Sequence, residues 1–279
     1  SDTAPTVIDN ATAFANMNPN GNYVLGMDNK ISQPYSKEFS GKVDGDGHTV
    51  TLDGTTNGVF VSTAASAVIQ KLAVEGTVSG GKNIAGIVGT NAGTIIICKN
   101  AANVTSNERC VGGIAGKTTG SISDCYNVGM IITTYVGNRG SVGGIAGESS
   151  NTIENCYNAG KLDVGELGRC GALVGWHSGE TINNCYYLDS SYKKGGNLPN
   201  SGNLNAIISK TADEMKSAEF AKALGNAFMP KTGDYPALKW ETPTASVNFN
   251  IMPANAVLSI NGATYTGSCN VALPAGAHD

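Results

Sequence analysis

Short runs of isoleucine, valine and alanine recur through the middle of the chain, and glycine, asparagine or serine separates one run from the next. The runs are too short for helices, and their β-branched residues favour extended backbone. The pattern therefore predicts β-strands bounded by turns. The same order of runs returns several times along the chain, so internal repetition decides the fold.

Two sequence signatures alternate in this region and give it a regular period. The glycine-rich blocks read IAGIVG (84–89), VGGIAG (111–116), VGGIAG (142–147) and CGALVG (170–175), and the segments that follow them read TIIICKN, SISDCYN, TIENCYN and TINNCYY. The last glycines of the blocks lie 27, 31 and 28 residues apart, whereas each cysteine follows its block by 9, 9, 9 and 10 residues. The block-to-cysteine part is therefore framework, and the stretch from each cysteine to the next block is a variable face.

A unit of this length cannot bury its own apolar face, so the copies must stack. Strands at one position of successive turns then pair in parallel, about 4.8 Å apart. We therefore predict an all-β fold, a right-handed parallel β-helix (solenoid) of about five turns with short capping helices, followed by the start of a β-sandwich. A fainter copy with Leu72 in place of the cysteine supplies the first turn. Two ladders are expected to fill the interior, Ile95, Ile122, Ile153 and Ile182, and Cys98, Cys125, Cys156 and Cys185.

Changes of composition divide the chain into four predicted parts. They are an N-terminal cap (1–40), the solenoid (41–204), a helical C-terminal cap (205–240) and a partial β-sandwich (241–279). Asp9 is expected to cap a short helix, and Thr211 and Ser217 are expected to cap two more that close at Gly225. We expect residues 188–205 to form a surface insertion. The strand-rich piece of the last part, from Ser246 onward, has about 35 residues, fewer than the ~40 that usually fold unaided, which predicts that it is truncated or docks on the solenoid.

Charge and composition exclude several function classes. With 18 basic and 22 acidic side chains the net charge is 18 − 22 = −4, and no lysine or arginine run exceeds two residues. Bulk electrostatic binding of nucleic acid and polybasic attachment to a membrane are therefore not expected. Since no apolar run approaches ~18 residues, we expect no membrane insertion, and we expect a monomer.

The cysteines and histidines form none of the familiar catalytic or metal motifs. Seven cysteines occur without a C-x-x-C pair, and three histidines occur without H-E-x-x-H. Nucleophile elbows (G-x-S-x-G) and phosphate-binding loops (G-x-x-x-x-G-K-[ST]) are also missing from the sequence. The sequence therefore leans away from an enzyme and predicts no obligatory cofactor.

Two places retain candidate chemistry. Asp44 and Asp46, two residues apart in a glycine-rich turn, could share a cation, which makes calcium a possible ligand, although aspartate is also a common turn former. Tyr126, Tyr157 and Tyr186 directly follow ladder cysteines, so they should point outward as an aromatic row that binds sugars or a partner, or lie beneath a docked C-terminal segment. Trp176 and His177 form a candidate sugar subsite, or His177 covers the end of the core.

The V-G-G-I-A-G block with its I-x-x-C-Y-N segment resembles the GLUG repeat of bacterial cell-surface and adhesin-like proteins, some of them associated with immunoglobulin-cleaving proteases. The resemblance covers roughly residues 7–240. Ala172 departs from the pattern by replacing a block glycine. After residue 241 the sequence resembles the opening strands of an immunoglobulin-like or PEGA-like domain. The resemblance implies an extracellular protein, at a bacterial cell surface or secreted.

We therefore expect non-catalytic adhesion or recognition of a host or environmental glycan or surface protein. The divergent stretches 99–109, 128–140 and 159–169 are the expected recognition face. Two alternatives remain. One is a carbohydrate-active β-helix enzyme, a lyase or glycosidase, that uses Asp44 and Asp46. The other is a passive structural spacer.

Overall fold

The computed structural model describes residues 4–135, 137, 139–165, 168–179, 181–199, 206–241, 244–249, 257–260, 263–266 and 269–274. The chain forms two compact units, Ser1–Ala237 and Leu238–Asp279, which are described one at a time.

The first unit is built from short strands with three short helices. Its strands are β1 (Thr6–Ile8), β2 (Asn22–Leu25), β3 (Asn29–Ile31), β4 (Tyr35–Phe39), β5 (Lys42–Asp44), β6 (Thr49–Thr55), β7 (Phe60–Thr63), β8 (Val68–Gln70), β9 (Ala73–Gly80), β10 (Ile84–Ala85), β11 (Val88–Asn91), β12 (Thr94–Ile96), β13 (Lys99–Asn100), β14 (Asn103–Ser106), β15 (Val111–Gly112), β16 (Ala115–Thr118), β17 (Ser121–Ser123), β18 (Tyr126–Asn127), β19 (Ile131–Thr133), β20 (Ser141–Gly143), β21 (Ala146–Ser149), β22 (Ile153–Glu154), β23 (Tyr157–Asn158), β24 (Leu162–Val164), β25 (Arg169–Gly171), β26 (Val174–His177), β27 (Ile182–Asn183), β28 (Cys185–Leu188), β29 (Ile207–Lys210), β30 (Phe228–Lys231) and β31 (Asp234–Leu238). The helices are α1 (Ala11–Ala15), α2 (Ala212–Met215) and α3 (Ala218–Leu224).

These strands stack in parallel, one copy above the next, as expected for a β-solenoid. Among the described residues, one sheet runs β1-β2-β5-β8-β12-β17-β22-β27, a second runs β10-β15-β20-β25, a third runs β26-β21-β16-β11-β7-β4, and the last joins β24-β19-β14-β9-β13-β18-β23-β28-β29 with β3 and β6. The repeat region contributes about five turns. The predicted fold class is therefore confirmed.

Both predicted interior ladders are present. Ile95 pairs in register with Ile122, Ile122 with Ile153, and Ile153 with Ile182. The four ladder cysteines are fully buried and free. In-register packing of identical side chains fills the core of the coil.

A ladder of buried asparagines, each two residues after a ladder cysteine, also stabilises the turns. Asn100, Asn127 and Asn158 each bond the backbone two residues ahead, and the Nδ2 of one donates to the Oδ1 of the next at 2.7 and 2.8 Å. Each asparagine lies against the third residue of its glycine block. A Cβ at Gly113 would lie 2.5 Å from the Asn127 Cγ, so glycine is required by close approach.

The N-terminal boundary predicted at residue 41 divides a continuous sheet. β1 and β2 pair in parallel, and β2 pairs with β5, so solenoid strands begin inside the predicted cap. The cap helix α1 is present, but its N-cap is Asn10 rather than Asp9, because the Asn10 side chain accepts from the Ala13 amide at 2.8 Å.

Residues 188–199 do not form the expected surface insertion. Their carbonyls accept hydrogen bonds from the last full turn, where Leu162 N donates to Ser191 O, Leu173 N to Gly195 O and His177 N to Asn197 O. Leu198 joins the core. The segment therefore continues the coil and covers its C-terminal end, which satisfies strand edges that would otherwise be open.

The helical segment covers the side of the coil rather than its end. We call residues 211–237, which contain α2, α3, β30 and β31, the strap. The predicted caps are confirmed. Thr211 and Glu214 form a capping box, Ser217 caps α3, and Gly225 ends it with a φ of 112°. The buried side chains of the strap are Met215, Phe220, Ala221, Leu224, Phe228 and Pro236. Leu238, the last residue of β31, lies outside the strap as defined and is also buried.

The second unit contains a 3-10 helix (Lys239–Glu241) and the strands β32 (Thr244–Phe249), β33 (Val257–Ile260), β34 (Ala263–Thr266) and β35 (Cys269–Pro274). β32 pairs antiparallel with β35, and β33 pairs antiparallel with β34. Antiparallel pairing replaces the parallel stacking of the first unit, as expected for the opening of a β-sandwich. In the described part of the chain, no helix has the length and apolar character needed to span a membrane.

Candidate functional site

The three tyrosines form the expected row of in-register residues, but the strap covers them. The Tyr126 and Tyr157 rings lie parallel with centroids 4.8 Å apart, and all three side chains are buried. Phe220 meets the Tyr186 ring edge-on at 5.0 Å, and the Tyr157 hydroxyl donates to the Pro236 carbonyl. The expectation of an exposed aromatic row is therefore wrong. The alternative is what the structure shows, because a row of apolar rings is stabilised by burial beneath another layer.

Clefts remain on both sides of the strap. One of about 270 Å³ is bordered by Lys99, Tyr126 and Asp234, and one of about 580 Å³ is bordered by Tyr186, Glu214 and Phe220. Both are partly open to solvent and border the covered rings. They leave only the margins of the tyrosine row accessible.

In the predicted cation site the carboxylates of Asp44 and Asp46 do not act as a pair, because Asp44 is bonded to neighbouring groups. Asp44 Oδ1 accepts from the Asp46 amide at 2.8 Å, and Asp44 Oδ2 accepts from Gln70 Nε2 at 2.6 Å and faces Lys71 Nζ at 3.8 Å. Asp46 adopts a left-handed turn conformation with a φ of 48° and is exposed. Asp44 therefore stabilises a turn and a neighbouring rung. Among the described residues no group of three or more His, Cys, Asp or Glu side chains is placed to hold a metal ion.

The buried cysteines have the environment of core side chains rather than of nucleophiles. Burial raises the pKa of the Cys125, Cys156 and Cys185 thiols well above the ordinary value. Their thiols point at backbone carbonyls, as in the 3.1 Å contact of Cys156 Sγ with Glu154 O. A thiol in such surroundings stays protonated and unreactive at neutral pH.

His177 points into the core and not into a surface subsite. It extends a buried polar row of Asn91, Thr118 and Ser149, which are in register in successive turns. Both of its ring nitrogens are buried and have no hydrogen-bond partner among the residues that the structure describes, and burial lowers the pKa of the imidazole. Since residues on a strand alternate between faces, Trp176 points outward next to it. The proposed Trp-His pair is therefore split between the interior and the surface.

Trp176 belongs to a row of outward side chains that flank the glycine blocks. The residue after each block pairs in register with its counterpart, so Thr90, Lys117, Glu148 and Trp176 form one outward row. The residue before each block lies beside this row, as when Asn83 Nδ2 donates to Thr90 Oγ1 at 3.1 Å and Ser141 Oγ donates to Glu148 Oε1 at 3.0 Å. We call the outward row, together with the residues before the blocks, the corner face. The residues before the blocks are Asn83, Cys110, Ser141 and Arg169, of which Cys110 and Ser141 are buried.

At the last glycine block the corner face contains an ordered cation–aromatic cluster. The Arg169 guanidinium lies 3.8 Å from the Trp176 ring centroid, and its Nη1 lies 3.9 Å from Glu148 Oε1. All three side chains are partly exposed. Stacking holds the planar guanidinium in one orientation while its edge keeps donors for a ligand.

Sequence reasoning found Trp176 but missed its partners. The signal was present, because Arg169 and Glu148 stand directly beside glycine blocks whose interior residues hardly vary. Which flanking residues touch one another depends on the turn of backbone inside each block, and only the structure shows it.

Comparison with known proteins extends the description of the fold. The sequence matches no protein-family model and no curated protein. A solved structure described as "a putative immunoglobulin A1 protease from Bacteroides ovatus" superposes with a TM-score of 0.61 at 19% identity, over 86% of this chain and 94% of that chain. A likeness at this identity establishes a shared β-solenoid fold and does not assign an activity.

Proposed function

We propose that this chain is a non-catalytic recognition module of an exported bacterial surface protein, and that it binds a host or environmental glycan or surface protein through the corner face. The observation that supports the proposal is the ordered Arg169–Trp176 cluster on the outside of a rigid coil. Tryptophan and arginine dominate the binding energy of most recognition sites. A rigid scaffold limits the entropy lost when such side chains are engaged.

The exported setting rests on two likenesses. The repeats resemble those of bacterial cell-surface and adhesin-like proteins, and the structural neighbour is described as a putative immunoglobulin A1 protease. A protein that acts on an immunoglobulin works outside the bacterial cell. We extend that location, and not that activity, to this chain.

Binding without catalysis agrees with the bonding of the candidate reactive groups. Asp44 is occupied by Asp46, Gln70 and Lys71, and the ladder thiols are buried. The divergent stretches 99–109, 128–140 and 159–169 border the corner face in sequence and contribute to the same recognition surface. Replacement of the exposed residues of these stretches, with buried residues such as Asn100, Val104 and Ile131 kept, should alter binding and leave the interior ladders unchanged.

The proposal is tested with an array of glycans and extracellular-matrix proteins, with analysis of products for every ligand that binds. We expect Trp176→Ala to lower affinity at least about tenfold. Trp240→Ala is the matched control, since Trp240 is the other of the two tryptophans in the chain. The purified variants should keep the melting temperature of the wild-type protein.

Each other outcome contradicts a stated part of the proposal. Binding that survives Trp176→Ala unchanged removes the corner face as the site. Turnover of a bound glycan supports the enzyme alternative, and loss of that turnover in an Asp44→Asn, Asp46→Asn variant would locate it. Absence of binding to every ligand favours a passive spacer.

A further inference from the structure

Basic side chains occur once in each turn beside the corner face. Lys82, Arg109, Arg139 and Arg169 stand one to three residues before the four glycine blocks. All four are exposed or partly exposed. We call these four residues the basic column. They are 27 to 30 residues apart in sequence, so they do not form a local run of lysine and arginine.

The register of the strands places these residues within one residue of the same position in successive turns. Asn83 N donates to Arg109 O at 3.1 Å, which places residues 82–83 one turn below Arg109. Ser141, two residues after Arg139, pairs in register with Arg169. The charges of Lys82, Arg109 and Glu148 all act on the Cys110 thiol, so these side chains share one neighbourhood. Successive turns are about 4.8 Å apart, so the column spans about 14 Å along the coil axis.

This neighbourhood is positively charged although the chain as a whole is acidic. Lys117 of the outward row adds a fifth positive charge, and it is exposed. The acids beside the column in the described part of the chain are Glu148, which contacts Arg169, and Glu108, which faces Gly81 of the previous turn. The chain as a whole carries a net charge of −4. A local excess of positive charge on such a chain indicates a binding site for an anionic partner.

We propose that the basic column binds an anionic glycan, one with carboxylate or sulfate groups on its sugar rings, laid along the axis of the coil and anchored where Arg169 stacks on Trp176. This inference rests on the proposed recognition function and names its ligand class. Guanidinium groups bind carboxylate and sulfate through two parallel hydrogen bonds. The Trp176 ring offers an apolar surface to a sugar ring at one end of the column.

The geometry favours a glycan over a nucleic acid. Single-stranded nucleic acid is held by aromatic side chains that stack on successive bases. Among the described residues, Arg169 is the member of the basic column whose cation lies over an aromatic ring, that of Trp176. Regularly spaced cations with one terminal aromatic ring fit a short chain of charged sugars.

The test compares two triple variants that remove the same charge from different faces. The column variant, Lys82→Gln, Arg109→Gln, Arg139→Gln, removes three of the four positive charges of the basic column. It leaves Arg169 and Trp176 in place. The control, Lys37→Gln, Lys42→Gln, Lys222→Gln, removes three exposed lysines elsewhere. Calorimetric titration uses a sulfated hexasaccharide, an oligogalacturonate, a neutral hexasaccharide and a single-stranded oligonucleotide of equal charge, each at two salt concentrations.

We expect a charged oligosaccharide to bind the wild-type and control proteins, with affinity that falls as salt rises. The column variant should bind at least about tenfold more weakly and with a smaller salt dependence. Binding of the neutral sugar alone, lost in Trp176→Ala, overturns the anionic ligand but keeps the proposed function. Equal binding of the oligonucleotide overturns the choice of a glycan. No binding of any probe, here or on the array, overturns both.

Discussion

The residue before each ladder position adopts a left-handed backbone conformation in every repeat turn. Lys71, Ile97, Asp124, Asn155 and Asn184 have φ values between 48° and 52°. Asparagine and aspartate tolerate this conformation, whereas a β-branched residue does so at a cost of about 1–2 kcal/mol. The last three also bond to one another, with Asn155 Nδ2 donating to Asp124 Oδ1 at 3.1 Å. Ile97 is therefore the strained member of an otherwise polar row.

Replacement of the strained isoleucine should stabilise the protein. In Ile97→Asn, the left-handed strain is relieved and the new amide lies next to Asp124, so the free energy of unfolding should rise by about 1 kcal/mol. Urea denaturation measures the change. Ile96→Asn is the control, because Ile96 lies within a strand and should be destabilised by the same substitution. A loss of stability in Ile97→Asn would show that side-chain packing at Ile97 outweighs backbone strain.

At the scale of elements, the strap depends on the coil beneath it. α2 has four residues and α3 has seven, and helices this short do not persist alone in water. They are held by aromatic contacts with the tyrosine row and by Asn184 Nδ2, which donates to the Ala223 carbonyl at 2.9 Å. The strap is therefore a separate layer whose stability comes from one buried face.

Removal of the main aromatic contact should loosen the strap without unfolding the coil. Phe220→Ala eliminates edge-to-face contacts at 5.0 Å with Tyr186 and 5.9 Å with Tyr157, a loss of about 3–4 kcal/mol from the strap. Hydrogen exchange in residues 211–237 should accelerate while the central turns keep their protection. Lys222→Ala on the exposed face of α3 should leave exchange unchanged. Simultaneous loss of protection in the whole coil would show that strap and coil unfold as one unit.

At the scale of the whole molecule, each turn of the coil contacts only its neighbours, so stability is not uniform along the coil. Interior turns are buried between two others, whereas the last turn is followed by no further repeat and is covered by residues 188–199 and by β29. His177 lies in that last turn and is fully buried. Protonation of this side chain would place an unpaired charge in the core, so the C-terminal end of the coil is its acid-sensitive part.

Acidification should therefore loosen the C-terminal end of the coil first. Because burial lowers the pKa of His177, the unfolded chain takes up a proton near its ordinary pKa of 6.5 while the folded chain does not. The contribution of His177 to stability is complete above pH 6.5 and declines as the pH falls below it. Hydrogen exchange at residues 172–177 should rise between pH 7 and 5, after correction for intrinsic rates. His177→Asn, which copies Asn91 of the same row, should remove that rise, and a rise that persists would assign it to another group.

The sequence by itself determined the coil. The repeat period, the interior ladders and the helix caps are local or repeating patterns, and they follow from side-chain alternation and capping chemistry that act over a few residues. Ile122 faces the core for the same reason that Ile95 does, since stacked turns place equal positions one above another. These parts were predicted correctly for that reason, except that the N-cap of α1 is Asn10 rather than Asp9.

The tertiary structure decided what covers the coil and what its surface presents. A tyrosine beside an inward cysteine has the same sequence pattern whether it is exposed or covered, so only the packing of Phe220 shows that the row is buried. Residues 188–199 resemble a loop in composition and close the coil because an open strand edge needs partners. The Arg169–Trp176 stack and the basic column join residues whose proximity depends on how each glycine block turns the backbone. Contacts between unequal positions of neighbouring turns are set by three-dimensional geometry, and spacing along the chain does not encode them.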